Sequence, residues 1–305
     1  MIFNSIEEYD MAEKAAIARL PNRITECCRA VAFDAVGYPT RVGSLAELWR
    51  YADIMQEFML RKMFDAIGGL TAHEFELVEE VTERVWNLTG NMCEKQLIPG
   101  ASLISAVPVY RAINYIFPNG CRVFEMGAGS GYVGALLLCE GRHQYMTTDV
   151  SQAFSLWQMK LLDEFGRDYR FIPWWEWMTL IDPPQVEVVT ANHMLNEMHL
   201  HALSYLCRMA KRMIVPGGYF MAENFGSEVI RKNAETQKMF EKTKLTAFAV
   251  RSGKSVVQPT VTWSDMLQFW QSYGGVPMSA DEKFMGFLKD ETFPLSSWES
   301  PSRSA

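Results

Sequence analysis

The chain has 305 residues, 49% of them hydrophobic and 21% charged, with a formal net charge of −7 at pH 7. That length carries one large domain or two modest ones around a substantial core. The acidic balance, with no long run of Lys or Arg, argues against a surface that tracks nucleic-acid phosphates.

The six cysteines (Cys27, Cys28, Cys93, Cys121, Cys139 and Cys207) show no C-x-x-C spacing, so they fit reduced, buried thiols better than a zinc site or a disulfide framework. Residues 1–20 lack the basic start and apolar core of a signal peptide, and no apolar stretch approaches the ~20 residues of a membrane span. A cytoplasmic protein is the expectation.

In chain order, Ile6, Tyr9, Ala12 or Glu13, Ala16 and Leu20 recur at helical spacing, and Pro21 ends that helix. After a turn-rich passage, Ser44 with Glu47 three residues on reads as a capping box opening a long helix through Phe64, closed by Gly68-Gly69. Thr71 with Glu74 repeats the signature for a helix to about Leu88, and a further helix spans about Ser102 to Ile116 despite Pro108. Residues 1–118 are thus a helical N-terminal region, expected to act as a lid or a dimerisation surface; a homodimer through these helices is one possibility.

Strands and helices then alternate over residues 119–295, which implies α/β architecture with a mostly parallel sheet. Strands are expected at about 122–126, 144–148, 169–173, 186–191 and 219–223, with helices at about 132–140, 151–165 and 195–212. Pro216-Gly217-Gly218 reads as the turn into the fifth strand. A polar helix follows at about 227–242. Segments 245–250 and 256–262 could form a terminal antiparallel pair, ahead of a helix from Trp263 or Ser264 to about Tyr273, and residues 296–305 read as a flexible tail.

The first strand leads into Glu125-Met126-Gly127-Ala128-Gly129-Ser130-Gly131-Tyr132, a strand, tight turn and helix start of the kind that cradles a nucleotide-like ligand. The dinucleotide fingerprint G-x-G-x-x-G/A would need a small residue where Tyr132 stands. Glu125, two residues before Gly127, would repel a pyrophosphate but attract a ligand carrying an ammonium and a sulfonium. Asp149 ends the second strand-like run 18 residues after Gly131, where an acid meets ribose hydroxyls in a doubly wound sheet.

With these residues the sequence resembles class I S-adenosylmethionine-dependent methyltransferases over about residues 120–250. The resemblance implies a Rossmann-like core and S-adenosyl-L-methionine as cofactor. It places Glu125, Gly127, Ala128, Gly129, Gly131, Asp149, Val150, Trp174, Trp175 and Asn192 around that cofactor. The two tryptophans can stack on adenine or simply pack in the core, as buried tryptophans commonly do.

Three of the five histidines fall between Asn192 and His201. His193 is the candidate general base for a hydroxyl acceptor, and Glu197 shares its helical face at i+4, where it could orient the imidazole. The spacing does not match H-E-x-x-H and shows no third ligand, so no metal is expected. The stretch from Val189 to Met198, with Glu223-Asn224, also resembles bacterial sugar O-methyltransferases. The expectation is O-methylation of a small molecule in biosynthesis, with N-methylation of an amine or amino acid, or a non-catalytic S-adenosylmethionine-binding partner subunit, as alternatives.

Overall fold

The computed structural model describes residues 3–20, 39–55, 59–61, 64, 67, 69–166, 169–177, 179–192, 194, 209–210, 212–223, 275–277 and 284–289. They fall into two compact units, one reaching Leu180 and the other starting at Ile181. The fold is α/β and Rossmann-like, with a helical N-terminal region. Among the described residues no helix is long and apolar enough to cross a membrane.

In the first unit, strands β1 (Arg122–Met126), β2 (Gln144–Thr148) and β3 (Tyr169–Phe171) are parallel, with Arg122 opposite Gln144, Met126 opposite Thr148 and Tyr145 opposite Tyr169. Helix α4 (Tyr132–Glu140) joins β1 to β2, and α5 (Gln152–Asp163) joins β2 to β3. Tyr132 to Leu138 are all buried, so α4 is apolar on every side and lies inside the unit. Gly134 brings it close to the sheet: a Cβ there would lie 2.3 Å from Tyr145 Cε1.

Elements before β1 belong to the same unit. Helix α1 (Ile6–Ile17) is capped by Ser5, whose hydroxyl accepts from the Glu8 N–H at 3.2 Å. Helix α2 (Ala72–Cys93) has the capping box read from Thr71 and Glu74. It runs through Gly90, beyond the expected end near Leu88, and closes on Glu94 at φ 53°. Helix α3 (Ala101–Ile116) accommodates Pro108. Arg111 of α3 donates to both carboxylate oxygens of Glu74, at 2.6 and 2.7 Å, and to the carbonyls of Ile67 and Gly69. The capping acid of α2 thereby also anchors α3.

The long helix expected from Ser44 is instead a 3₁₀ helix, Leu45–Tyr51. Ser44 caps Ala46 N at 3.2 Å, while Glu47 reaches the Gly43 N–H at 3.1 Å, so the reciprocal box does not form. The chain leaves helical geometry because Asp53 is used elsewhere: its carboxylate accepts from Gly100 N (2.8 Å), Ser102 N (3.2 Å) and Ser102 Oγ (2.6 Å). Those are orphan donors at the start of α3, whose own N-cap residue, Gly100, has no side chain.

In the second unit, β4 (Val186–Thr190) is parallel to β5 (Ile214–Glu223). Pro216-Gly217-Gly218 lies inside β5 as a bulge, where sequence suggested a turn before the strand: Val186 faces Ile214, yet Val188 faces Tyr219. Gly217 has φ 76°, and a Cβ on Gly218 would lie 2.6 Å from the Glu187 carbonyl oxygen. Strands β6 (Gly275–Pro277) and β7 (Phe284–Lys289) add an antiparallel pair next to β5. Segments 245–250 and 256–262 lie outside the described residues, as do the helices expected at 227–242 and 263–273.

Candidate active site

At the carboxyl ends of β1 and β2 the glycine turn is a closed hydrogen-bonded loop. Gly127, Gly129 and Gly131 have φ of 61°, 56° and 76°, a region that side chains with a Cβ rarely adopt. Each glycine N–H has an acceptor within the protein. Gly127 donates to the Thr148 carbonyl at 2.8 Å, Gly129 to Asp149 Oδ2 at 3.1 Å and Gly131 to the Ala128 carbonyl at 2.9 Å.

Asp149 is 6% exposed and serves as the hub of the turn. Its Oδ1 accepts from Ser151 N at 2.9 Å, and its Oδ2 accepts from Gln158 Nε2 at 3.1 Å as well as from Gly129. Gln158 also donates to the Gly129 carbonyl at 2.8 Å, and its own oxygen accepts from Thr147 Oγ1 at 3.1 Å. A carboxylate has about four lone-pair sites, so these three bonds fix its orientation before any ligand arrives.

Glu125 is 2% exposed and accepts a short hydrogen bond from the Tyr145 hydroxyl. Burial, and then the Glu125 charge, push the Tyr145 phenol well above its usual range. Tyr145 therefore stays a donor at every physiological pH.

The N-terminal region covers the turn. Ser130 Oγ donates to the Tyr51 carbonyl at 2.8 Å, and the Tyr132 hydroxyl donates to the Ala52 carbonyl. A Cβ on Gly129 would meet only Ile54 Cδ1, at 3.9 Å. The turn thus has room beside Gly129, with Ile54 as its wall. A polar group without a partner marks the same strand end: Thr148 Oγ1 is buried and unpaired. A ligand that brings a hydroxyl to the end of β2 and a cation to Glu125 fits this donor and acceptor set.

Trp174 and Trp175 open a short helix α6 (Trp174–Trp177) directly after β3 and are 3% and 6% exposed. The Trp174 indole N–H donates to Glu13 Oε1 at 2.8 Å, and Glu13 also pairs with Arg41. Trp175 packs edge-on against Tyr9, centroids 5.1 Å apart. Both rings lie against α1.

No protein-family model matches the chain, and no curated protein sequence matches it. Solved structures similar to it include an O-methyltransferase family protein from Burkholderia thailandensis, 12% identical over 62% of this chain, with TM-score 0.43. The chain spans 57% of that protein's length. A TehB-like SAM-dependent methyltransferase from Corynebacterium glutamicum is 13% identical over 70% of this chain and 98% of its own, with TM-score 0.42. The N-methyltransferase NodS from Bradyrhizobium japonicum, in complex with S-adenosyl-L-homocysteine, is 10% identical over 61% of this chain and 86% of its own, with TM-score 0.42.

Of the residues singled out in the sequence, Gly127, Gly129, Gly131 and Asp149 are joined in one hydrogen-bonded loop, with Ala128 and Val150 inside it and Glu125 at the end of β1. Asn192, in the second unit, accepts from Thr190 Oγ1 at 3.2 Å. His193 and Glu197 lie outside the described residues.

Sequence reasoning missed Gln158, Tyr145, Thr148 and the 51–54 segment. Gln158 left a signal: with Ser151 and Ser155 it forms a polar stripe at spacings of four and three along the helix. The 51–54 segment left none, because its contacts with the turn are about eighty residues distant in sequence.

Proposed function

We propose that this chain is an S-adenosylmethionine-dependent methyltransferase that acts on a small-molecule acceptor at a hydroxyl oxygen. The observation that supports it is the destination of the three glycine N–H groups: all go to protein acceptors, one of them the Asp149 carboxylate. In a dinucleotide site the N–H groups of such a turn meet a pyrophosphate. Here Asp149 and the buried Glu125 oppose a polyanion and suit a ligand with cationic groups.

In this reading Glu125 faces the amino end of the cofactor, and Asp149 with Thr148 faces its ribose. Ala128 and Val150 line the remaining space, and Asn192, Trp174 and Trp175 are the further residues we assign to the cofactor. When bound, S-adenosylmethionine supplies a methyl group already activated by its sulfonium. The protein's part is then orientation, worth several kcal/mol when the acceptor oxygen is held in line at about 3–3.5 Å. To His193, with Glu197 as its partner, we assign the role of taking the acceptor's proton as the new bond forms, which typically contributes 10²- to 10⁴-fold.

Calorimetry with S-adenosyl-L-homocysteine tests the donor site. Glu125→Gln should weaken binding about tenfold or more by removing the charge, the size expected of a charge-assisted contact. Unchanged affinity in Glu125→Gln would remove Glu125 from the site, and preferential binding of NAD by the wild type would overturn the cofactor. Labelled methyl transfer to hydroxylated small-molecule pools tests the reaction. His193→Ala should cut turnover while leaving donor affinity intact, and binding with no labelled product from any pool would favour the non-catalytic alternative.

A further inference from the structure

The opposite ends of β1 and β2 carry a second cluster, which the glycine turn does not use. Parallel register pairs Arg122 with Gln144, and the Gln144 N–H donates to the Cys121 carbonyl at 3.0 Å. This sets Cys121 beside His143. The imidazole is 6% exposed, with Nε2 3.0 Å from Asn114 Oδ1 and Nδ1 3.5 Å from Cys121 Sγ.

The asparagine decides the tautomer. Asn114 Nδ2 donates to the Tyr110 carbonyl at 3.2 Å, and Arg142 donates to Asn114 Oδ1 at 3.2 Å, so the amide oxygen is the atom turned toward the ring. Because that oxygen only accepts, His143 Nε2 carries the hydrogen and Nδ1 is the acceptor. Nδ1 receives the Cys121 N–H at 3.3 Å and faces the thiol. Thiol, imidazole and amide oxygen thus stand in the order that activates cysteine nucleophiles elsewhere.

Charge supports the arrangement. Burial, then the Arg142 guanidinium, hold His143 below its ordinary pKa, with Glu140 opposing, so the ring is in its base form at neutral pH. Burial pushes the Cys139 thiol up to about 12, helped by Glu80, and burial also raises Cys93.

We propose that Cys121 is a modification site, a nucleophilic thiol activated by His143 and Asn114 that takes up low-molecular-weight disulfides. The thiol proton passes to His143 Nδ1 as Sγ attacks one sulfur of the disulfide. A new S–S bond forms while the old one breaks, and the departing sulfur leaves with the electron pair and takes the proton from the imidazolium. Protein thiol and disulfide become protein mixed disulfide and free thiol. The site lies about 20 Å from the glycine turn, at about 3.3 Å per strand residue, and shares no residue with it.

The test is incubation of the full-length protein with oxidised glutathione near neutral pH, with mixed disulfides mapped over time by peptide mass spectrometry. Cys121 should react at least about tenfold faster than Cys139, and than the cysteine of a free peptide spanning Pro118 to Phe124, the low end of what a positioned base contributes. His143→Gln should bring Cys121 down to the peptide's rate while Cys139 stays slow, a sign that the fold has held. Asn114→Ala should give a smaller loss in the same direction. If wild-type Cys121 reacts no faster than the peptide, the proposal fails, whether or not the variants fold. It also fails if a folded His143→Gln leaves the rate unchanged, since the imidazole is then only a staple between two strand starts.

Discussion

The two ends of the β1 and β2 pair are built from the same strands and do opposite things. At the carboxyl end, Glu125 and Asp149 are nearly fully buried and the glycine N–H groups turn inward to protein acceptors. At the amino end, an imidazole held through Asn114, which Arg142 also contacts, stands beside the thiol of the half-buried Cys121. In the readings proposed above, one end accepts cationic or hydroxyl-bearing groups and the other presents a base beside a nucleophile. Strand pairing alone does not choose the chemistry of a sheet end; the residues that absorb the loose N–H groups do.

The largest expected effect comes from removing the hub of the carboxyl end. Asp149→Ala leaves the donors of Gly129, Ser151 and Gln158 without their acceptor, and should cost about 2–4 kcal/mol of stability in denaturant titration. It should also abolish measurable S-adenosyl-L-homocysteine binding in calorimetry. A variant that folds normally and binds normally would mean that the turn does not depend on this acid.

Next in size is Gly134→Ala. Its methyl would press on the Tyr145 ring, which is 1% exposed and cannot swing away, so an overpacking cost of about 1–3 kcal/mol is expected in thermal or denaturant unfolding. Because Tyr145 donates to Glu125, donor affinity should fall as well. The amino end lies across the same strands, so a Cys121 thiol that keeps its wild-type reactivity in this variant would show that the two ends are uncoupled.

The carboxyl end was readable in the sequence because its parts are local. Glycines at alternate positions, an acid two residues before them and an acid at the next strand end make a pattern within twenty-five residues. The alternation of strands and helices from Arg122 to Phe171, and the Thr71 and Glu74 box, were legible for the same reason. What failed depended on distant partners. Ser44 with Glu47 imitated a helix start, but Asp53 is drawn to donors at Gly100 and Ser102. Pro216-Gly217-Gly218 read as a turn because a bulge is visible only against the facing strand. Cys121 and His143 are 22 residues apart and meet only through the register of two strands.

A smaller effect separates the ends by pH. His143 has a folded-state pKa below its ordinary value of 6.5, so the unfolded chain takes up the proton more readily. The stability this gives is fully present above about pH 6.5 and is lost as pH falls through the folded pKa. Thermal unfolding of the wild type should therefore fall more steeply between pH 7 and about pH 5 than that of His143→Gln. Equal slopes would mean that the imidazole titrates alike in both states.

The smallest effect has two signs in one substitution. Thr148 Oγ1 is buried without a partner, so Thr148→Val removes an unsatisfied polar atom and keeps the side chain's shape. Stability should be unchanged or rise by about 0.5–1 kcal/mol. Affinity for S-adenosyl-L-homocysteine should move the other way, weakening about fivefold, the equivalent of about 1 kcal/mol, because in the proposed reading the same hydroxyl meets the ribose. Opposed signs are what a ligand-facing group produces. If stability rises and affinity does not change, Thr148 is a packing defect of the strand end, and the ribose contact belongs to Asp149 alone.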